Sequence, residues 1–124
     1  MLVSERCRHV LITTGPDDTL LDAAGQLHCY QIGALPVYEQ HHLIGIVTER
    51  DVVAALAEGA DPKSTRVADY MTELPVTVAP DEDLAVAAQR MAELGVRHLP
   101  VVDGHRLVGM LSIRDLLTGQ AAAV

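Results

Sequence analysis

Residues 12–51 read ITTGPDDTLLDAAGQLHCYQIGALPVYEQHHLIGIVTERD, and residues 76–115 read VTVAPDEDLAVAAQRMAELGVRHLPVVDGHRLVGMLSIRD. Laid over each other at a spacing of 64 residues, they align without a gap. Thr13, Pro16, Asp17, Leu20, Ala23 and Ala24 fall on Thr77, Pro80, Asp81, Leu84, Ala87 and Ala88. Leu35, Pro36, Val37, His41, Leu43, Gly45, Arg50 and Asp51 fall on Leu99, Pro100, Val101, His105, Leu107, Gly109, Arg114 and Asp115. The identities gather at turns and helix starts, where backbone geometry is most demanding. The chain is an internal duplication.

Within each copy the local signals follow one order. A short strand (about 11–14 and 76–78) runs into a Pro-Asp turn. Asp17 and Asp81 then stand ahead of helices predicted at about 19–30 and 83–94. Leu20, Ala23, Ala24 and Leu27 recur at helical spacing, as do Leu84, Ala87, Ala88 and Met91, so one apolar stripe faces a sheet. The strands ALPVYE (34–39) and HLPVVD (98–103) each turn into LIGIVT (43–48) or LVGMLS (107–112), which predicts hairpins. Thr48 and Ser112 are N-cap residues for a closing helix. Val67, Asp69 and Met71 form a short lead-in helix, and Val3, Glu5 and Cys7 occupy the same places at the amino terminus. The boundaries read as a first repeat at 1–58, a linker at 59–66 and a second repeat at 67–124. The fold class is α/β (α+β), with two β-α-β-β-α repeats expected to pack pseudo-symmetrically, sheet against sheet.

Composition narrows the function. The 124 residues include no Phe, no Trp and three Tyr, so Val, Ile, Leu, Ala and Met must build the core. Formal charge is −8 with a single lysine, Lys63, which disfavours nucleic acid and anionic membrane as partners. No apolar run is long enough to span a bilayer. Cys7 and Cys29 lack motif spacing, and with no secretory signal pattern the expected compartment is a reducing cytoplasm. His41, His42 and His105 flank the hairpin turns and read as solvated, with a metal site as the alternative. No triad, HxxxH or CxxC is present, so the chain reads as a non-enzyme that requires no cofactor.

The candidate site is GIVTERD (45–51) and its counterpart GMLSIRD (109–115). In each, a glycine permits close approach, and a hydroxyl stands at a helix start with a carboxylate one turn on. Free amides with a hydroxyl suit a phosphate, and an Asp accepting two hydrogen bonds suits the vicinal hydroxyls of a ribose. The same S/T-x-x-D spacing also makes a helix cap, and both readings stand.

With GALPV (33–37), RHLPV (97–101) and the segments ending in Asp51 and Asp115, the chain resembles tandem cystathionine-β-synthase-type (CBS) domains, a Bateman module, over almost its whole length. The resemblance implies two pseudo-symmetric clefts between paired sheets, each for an adenosine nucleotide or S-adenosylmethionine as a regulatory ligand. One would use Thr13, Thr14, Ala34, Pro36, Thr48 and Asp51; the other would use Thr77, Val78, His98, Pro100, Ser112 and Asp115. Arg97 and His98 stand where nucleotide-binding members place phosphate-facing bases, against Gly33 and Ala34 in the first copy, so the clefts should differ in charge. Arg50 and Arg114 either add phosphate contacts or pair with surface acids. The resemblance further implies a homodimer joined through helices and an unknown effector protein. The alternative is a ligand-free dimerisation or interaction module.

Overall fold

A computed structural model describes residues 1–9, 11–73 and 75–117. It divides into two compact units, one formed by Ile12–Pro75 and the other by Met1–Leu11 together with Val76 onward. The sequence repeats and the compact units therefore do not coincide. Each unit takes its lead-in segment from the other repeat.

The Ile12–Pro75 unit contains α1 (Leu20–Tyr30), β1 (Ala34–Glu39), β2 (His42–Thr48), α2 (Glu49–Ala57) and β3 (Thr72–Glu73). Thr19 caps α1 by accepting from the Asp22 amide at 3.1 Å, so the cap lies two residues beyond Asp17. The sheet is antiparallel in the order β1-β2-β3, with Leu35 opposite Val47 and Pro36 opposite Ile46. The first hairpin closes through Gln40 and His41, both left-handed, at φ 49° and 67°. Those are the signs that a two-residue turn needs to match strand twist. Its core joins Leu20, Ala23, Leu27, Leu35, Val37, Val47, Ala55 and Val67. The predicted apolar stripe of α1 is buried at Leu20, Ala23 and Leu27. Val67 enters this core on a 3-10 turn, Val67–Asp69, held by its amide donating to Asp18 O at 2.8 Å.

The second unit repeats this plan in permuted order. Its elements are the 3-10 turn Val3–Glu5, α3 (Leu84–Leu94), β4 (His98–Asp103), β5 (Arg106–Ser112) and helical residues at 113–117. The Val3 amide donates to Glu82 O at 2.9 Å, the counterpart of the Val67 bond. The Leu84 amide donates to Met1 O at 2.8 Å, as Leu20 does to Thr65 O at 2.9 Å. Val3 and Cys7 complete a core of Val78, Ala87, Met91, Leu99, Val101 and Leu111. Both units are mixed helix and strand with a small antiparallel sheet, as the class assignment requires.

The predicted strands at 11–14 and 76–78 shrink to single parallel bridges, Thr14 to Val37 and Val78 to Val101. Thr14 donates its amide to Pro36 O at 3.0 Å and accepts from the Tyr38 amide at 2.9 Å. One residue later the chain turns at Gly15, whose carbonyl accepts from the Asp18 amide, so the ladder cannot extend. Among the described residues no helix is long and apolar enough to cross a membrane.

Candidate functional site

Both glycines of the candidate segments have a structural cause. A Cβ on Gly45 would lie 2.7 Å from Met71 Sδ and 2.8 Å from Thr72 O. On Gly109 it would lie 2.5 Å from Arg8 O and 3.1 Å from Cys7 Sγ. The close approach is thus made by the lead-in segment, which crosses each sheet where only glycine leaves room.

Strand register sorts the remaining residues by face, because alternate side chains point to opposite sides. Leu35, Val37, Gly45 and Val47 take the core face of the first sheet, so Ala34, Pro36, Ile46 and Thr48 share the other. In the second unit Leu99, Val101, Gly109 and Leu111 face the core, and His98, Pro100, Met110 and Ser112 share the opposite face. Thr14 and Val78 pair with core-facing residues and therefore turn inward, while Thr13 and Thr77 fall on the site face. Thr14 is buried and its hydroxyl donates to Asp18 Oδ2 at 2.9 Å. Both backbone polar groups of Val78 are taken, by Pro100 O at 3.0 Å and by the Val102 amide at 2.8 Å.

Thr48 and Asp51 close a reciprocal cap at the start of α2. Asp51 Oδ2 accepts from the Thr48 amide at 2.8 Å and the Thr48 hydroxyl at 3.1 Å, while Thr48 Oγ1 accepts from the Asp51 amide at 3.3 Å. Ser112 donates its amide to Asp115 Oδ2 at 2.7 Å in the matching place. In both, the cap bonds are accepted at Oδ2. The helix start is tied to the x-L-P segment: the Glu49 amide donates to Gly33 O at 3.0 Å, and Ile113 to Arg97 O at 2.9 Å. Each unit therefore assembles one predicted group by itself, Thr13, Ala34, Pro36, Thr48 and Asp51 in one, Thr77, His98, Pro100, Ser112 and Asp115 in the other. Thr48, Asp51, His98, Ser112 and Asp115 are half-buried; Ala34, Pro36 and Pro100 are buried; Arg50, Arg97 and Arg114 are exposed.

Two residues near the site escaped the sequence reading. Arg90 on α3 donates to Thr77 O at 3.3 Å and pairs with Glu82 at 3.0 Å, which holds the Thr77 segment in place. Its counterpart one repeat earlier is Gln26, whose buried Oε1 has no hydrogen-bond partner among the described residues. The 64-residue spacing could have singled out this pair as a charge difference. Cys7 is the second. Burial pushes its thiol pKa up, and the nearby negative charge of Asp115 adds to the rise, partly offset by a backbone hydrogen bond. Among the described residues no group of three or more His, Cys, Asp or Glu could hold a metal ion.

The CBS domain family model matches twice, at residues 3–58 and 67–121. The chain is 39% identical over 107 residues to the mitochondrial CBS domain-containing protein CBSX3 of Arabidopsis thaliana, covering 82% of this chain and 52% of that one. It is 37% identical over 109 residues to the CBS domain-containing protein YhcV of Bacillus subtilis, covering 87% and 77%. It thus spans about half the length of the Arabidopsis relative. A crystal structure of the CBS domain pair of protein MJ0100, in complex with 5′-methylthioadenosine and S-adenosyl-L-methionine, superposes with a TM-score of 0.92. That match is 27% identical and covers 100% of this chain and 98% of the other. By its two matched repeats and its fold, the chain belongs to the CBS domain family.

Proposed function

We propose that the chain is a regulatory sensor that binds an adenosine-type ligand, AMP, ADP, ATP or S-adenosylmethionine, and signals through an effector protein. One observation carries the reading. Each unit sets a hydroxyl and a carboxylate at a helix start beside the non-core face of its hairpin, at the same spacing, and the two share the amide-to-carboxylate bond and the bond from the next residue's amide to the x-L-P segment. A cap alone needs the hydroxyl and carboxylate; it does not need the adjoining strand face with Ala34 and Pro36, or His98 and Pro100. In this reading the Asp51 and Asp115 carboxylates accept the ribose hydroxyls, Thr48 and Ser112 contact phosphate, and Arg50, Arg97 and Arg114 supply positive charge. The ligand is a signal and no residue acts as a catalyst. The working form is a cytoplasmic homodimer in which ligand binding shifts the population between two packings, by no more than its differential affinity for them.

The support from relatives is that the MJ0100 domain pair was crystallised with two adenosine compounds. Calorimetric titration of ATP, ADP, AMP and S-adenosylmethionine into wild type, Asp51→Ala and Asp115→Ala tests the proposal. Saturable binding that one or both substitutions abolish is expected. Each variant also loses a cap that contributes about 1 kcal/mol, so its thermal melt is recorded alongside. If none of the four compounds binds the folded wild type, the proposal fails. The second reading, a ligand-free dimerisation or interaction module, then stands, and the cap bonds at Asp51 favour it.

A further inference from the structure

The charge of −8 is shared very unequally. Ile12–Pro75 carries ten acidic side chains against three cationic ones, whereas the other unit carries seven against six arginines. Nearly all the excess negative charge sits in the first-repeat unit. The same imbalance appears beside the two sites when equivalent positions are set side by side. Gly33 corresponds to Arg97, Ala34 to His98, Glu49 to Ile113, and Thr72 to Arg8.

The last pair crosses the repeat boundary. Arg8 belongs to the amino-terminal segment, but its amide donates to Met110 O at 2.9 Å and its carbonyl accepts from the Met110 amide at 3.0 Å. Residues directly opposite in an antiparallel pair share a face. Cys7, one residue earlier, points into the core. Arg8 therefore lies on the opposite face, with Met110, Ser112 and His98. It is exposed, and among the described residues its guanidinium has no hydrogen bond or ion pair. The same holds for Arg97.

We propose that Arg8 is a specificity-determining residue of the second-repeat site, and that with Arg97 it reserves that site for a phosphorylated adenosine ligand. The acidic first-repeat site, with Thr72 and Gly33 in those places, then takes an adenosine ligand without phosphate. This rests on the adenosine reading above and adds ligand class and site to it. The amino-terminal segment thus serves two ends, completing the core through Val3 and Cys7 and supplying the cation through Arg8.

The test is calorimetry with ATP and with adenosine on the full chain: wild type, Arg8→Thr, Thr72→Arg, Asp51→Ala and Asp115→Ala. One charge-assisted contact with phosphate, partly screened at an exposed position, corresponds to about tenfold in affinity. Arg8→Thr should weaken ATP by about that factor and change adenosine by less than about twofold. ATP binding should survive Asp51→Ala and be lost in Asp115→Ala. Thr72→Arg, a surface change in the other unit, should add a second ATP site. If adenosine binds but ATP affinity ignores residue 8, or if ATP is lost in Asp51→Ala instead, the assignment is overturned while the adenosine reading survives. If neither compound binds wild type, the assignment falls, and the adenosine reading falls with it only if AMP, ADP and S-adenosylmethionine also fail to bind.

Discussion

Three glycine-to-alanine substitutions should move stability in opposite directions, depending on what a Cβ meets. At Gly109 the added carbon would lie 2.5 Å from Arg8 O and 3.1 Å from Cys7 Sγ, and at Gly45 it would lie 2.8 Å from Thr72 O. A relaxed carbon–oxygen contact is several tenths of an ångström longer, and the oxygen is backbone, so the lead-in segment must back away. At Gly109 that movement strains the two bonds between Arg8 and Met110, of 2.9 and 3.0 Å, each contributing about 1 kcal/mol. Complete undocking would also expose Val3, at a cost of about 1.5–3 kcal/mol. Partial retreat is cheaper, so the loss should fall in the overpacking range of about 1–3 kcal/mol. Gly25, inside α1, has nothing within 4 Å of the same atom, and alanine there should stabilise by about 0.5–1 kcal/mol. Urea unfolding of wild type, G109A, G45A and G25A reads all three signs. Hydrogen exchange at the Met110 amide reports whether the Gly109 loss begins at the lead-in. An unchanged midpoint for G109A with unaltered protection at Met110 would refute the argument that this crossing demands glycine.

Three further outcomes follow from single features. α1 and α3 end at equivalent left-handed residues, Gln31 at φ 53° and Gly95 at φ 68°; Gln31→Gly should therefore stabilise by about 0.5–1 kcal/mol, read as a rise in urea midpoint. Cys7 is buried with a raised thiol pKa, whereas Cys29 is exposed; iodoacetamide at neutral pH should label Cys29 first, and Asp115→Asn should speed Cys7 labelling by lowering its pKa. Tyr70 donates its hydroxyl to Glu58 at 3.0 Å, and this bond, with smaller contributions from burial and the Glu58 and Asp69 charges, holds its pKa above the ordinary phenol value. Because the folded pKa is the higher one, the contact persists up to the ordinary value near pH 10 and is lost as pH rises through the folded value. In an ultraviolet titration of the three tyrosines, Tyr70→Phe should remove a late-titrating component.

Much of this protein was decided by short-range information in the chain. Helix spans, hairpin strands and the caps at Thr48 and Ser112 depend on contacts within a few residues, and the stripe Leu20, Ala23, Leu27 announces its own buried face. The duplication was equally legible, because equivalent turns demand equivalent residues. Tertiary structure decided which lead-in packs on which copy. Val3 and Val67 carry the same apolar signal, and either could fill either core in the same way, so pattern cannot distinguish them; the path of the chain can. It sends residues 1–11 to the second repeat's core and residues 67–75 to the first. The same choice explains Gly45 and Gly109 and carries Arg8 across the repeat boundary to the strand face beside Ser112. A spacing of 64 residues states which positions correspond, but only packing in three dimensions determines which of them meet.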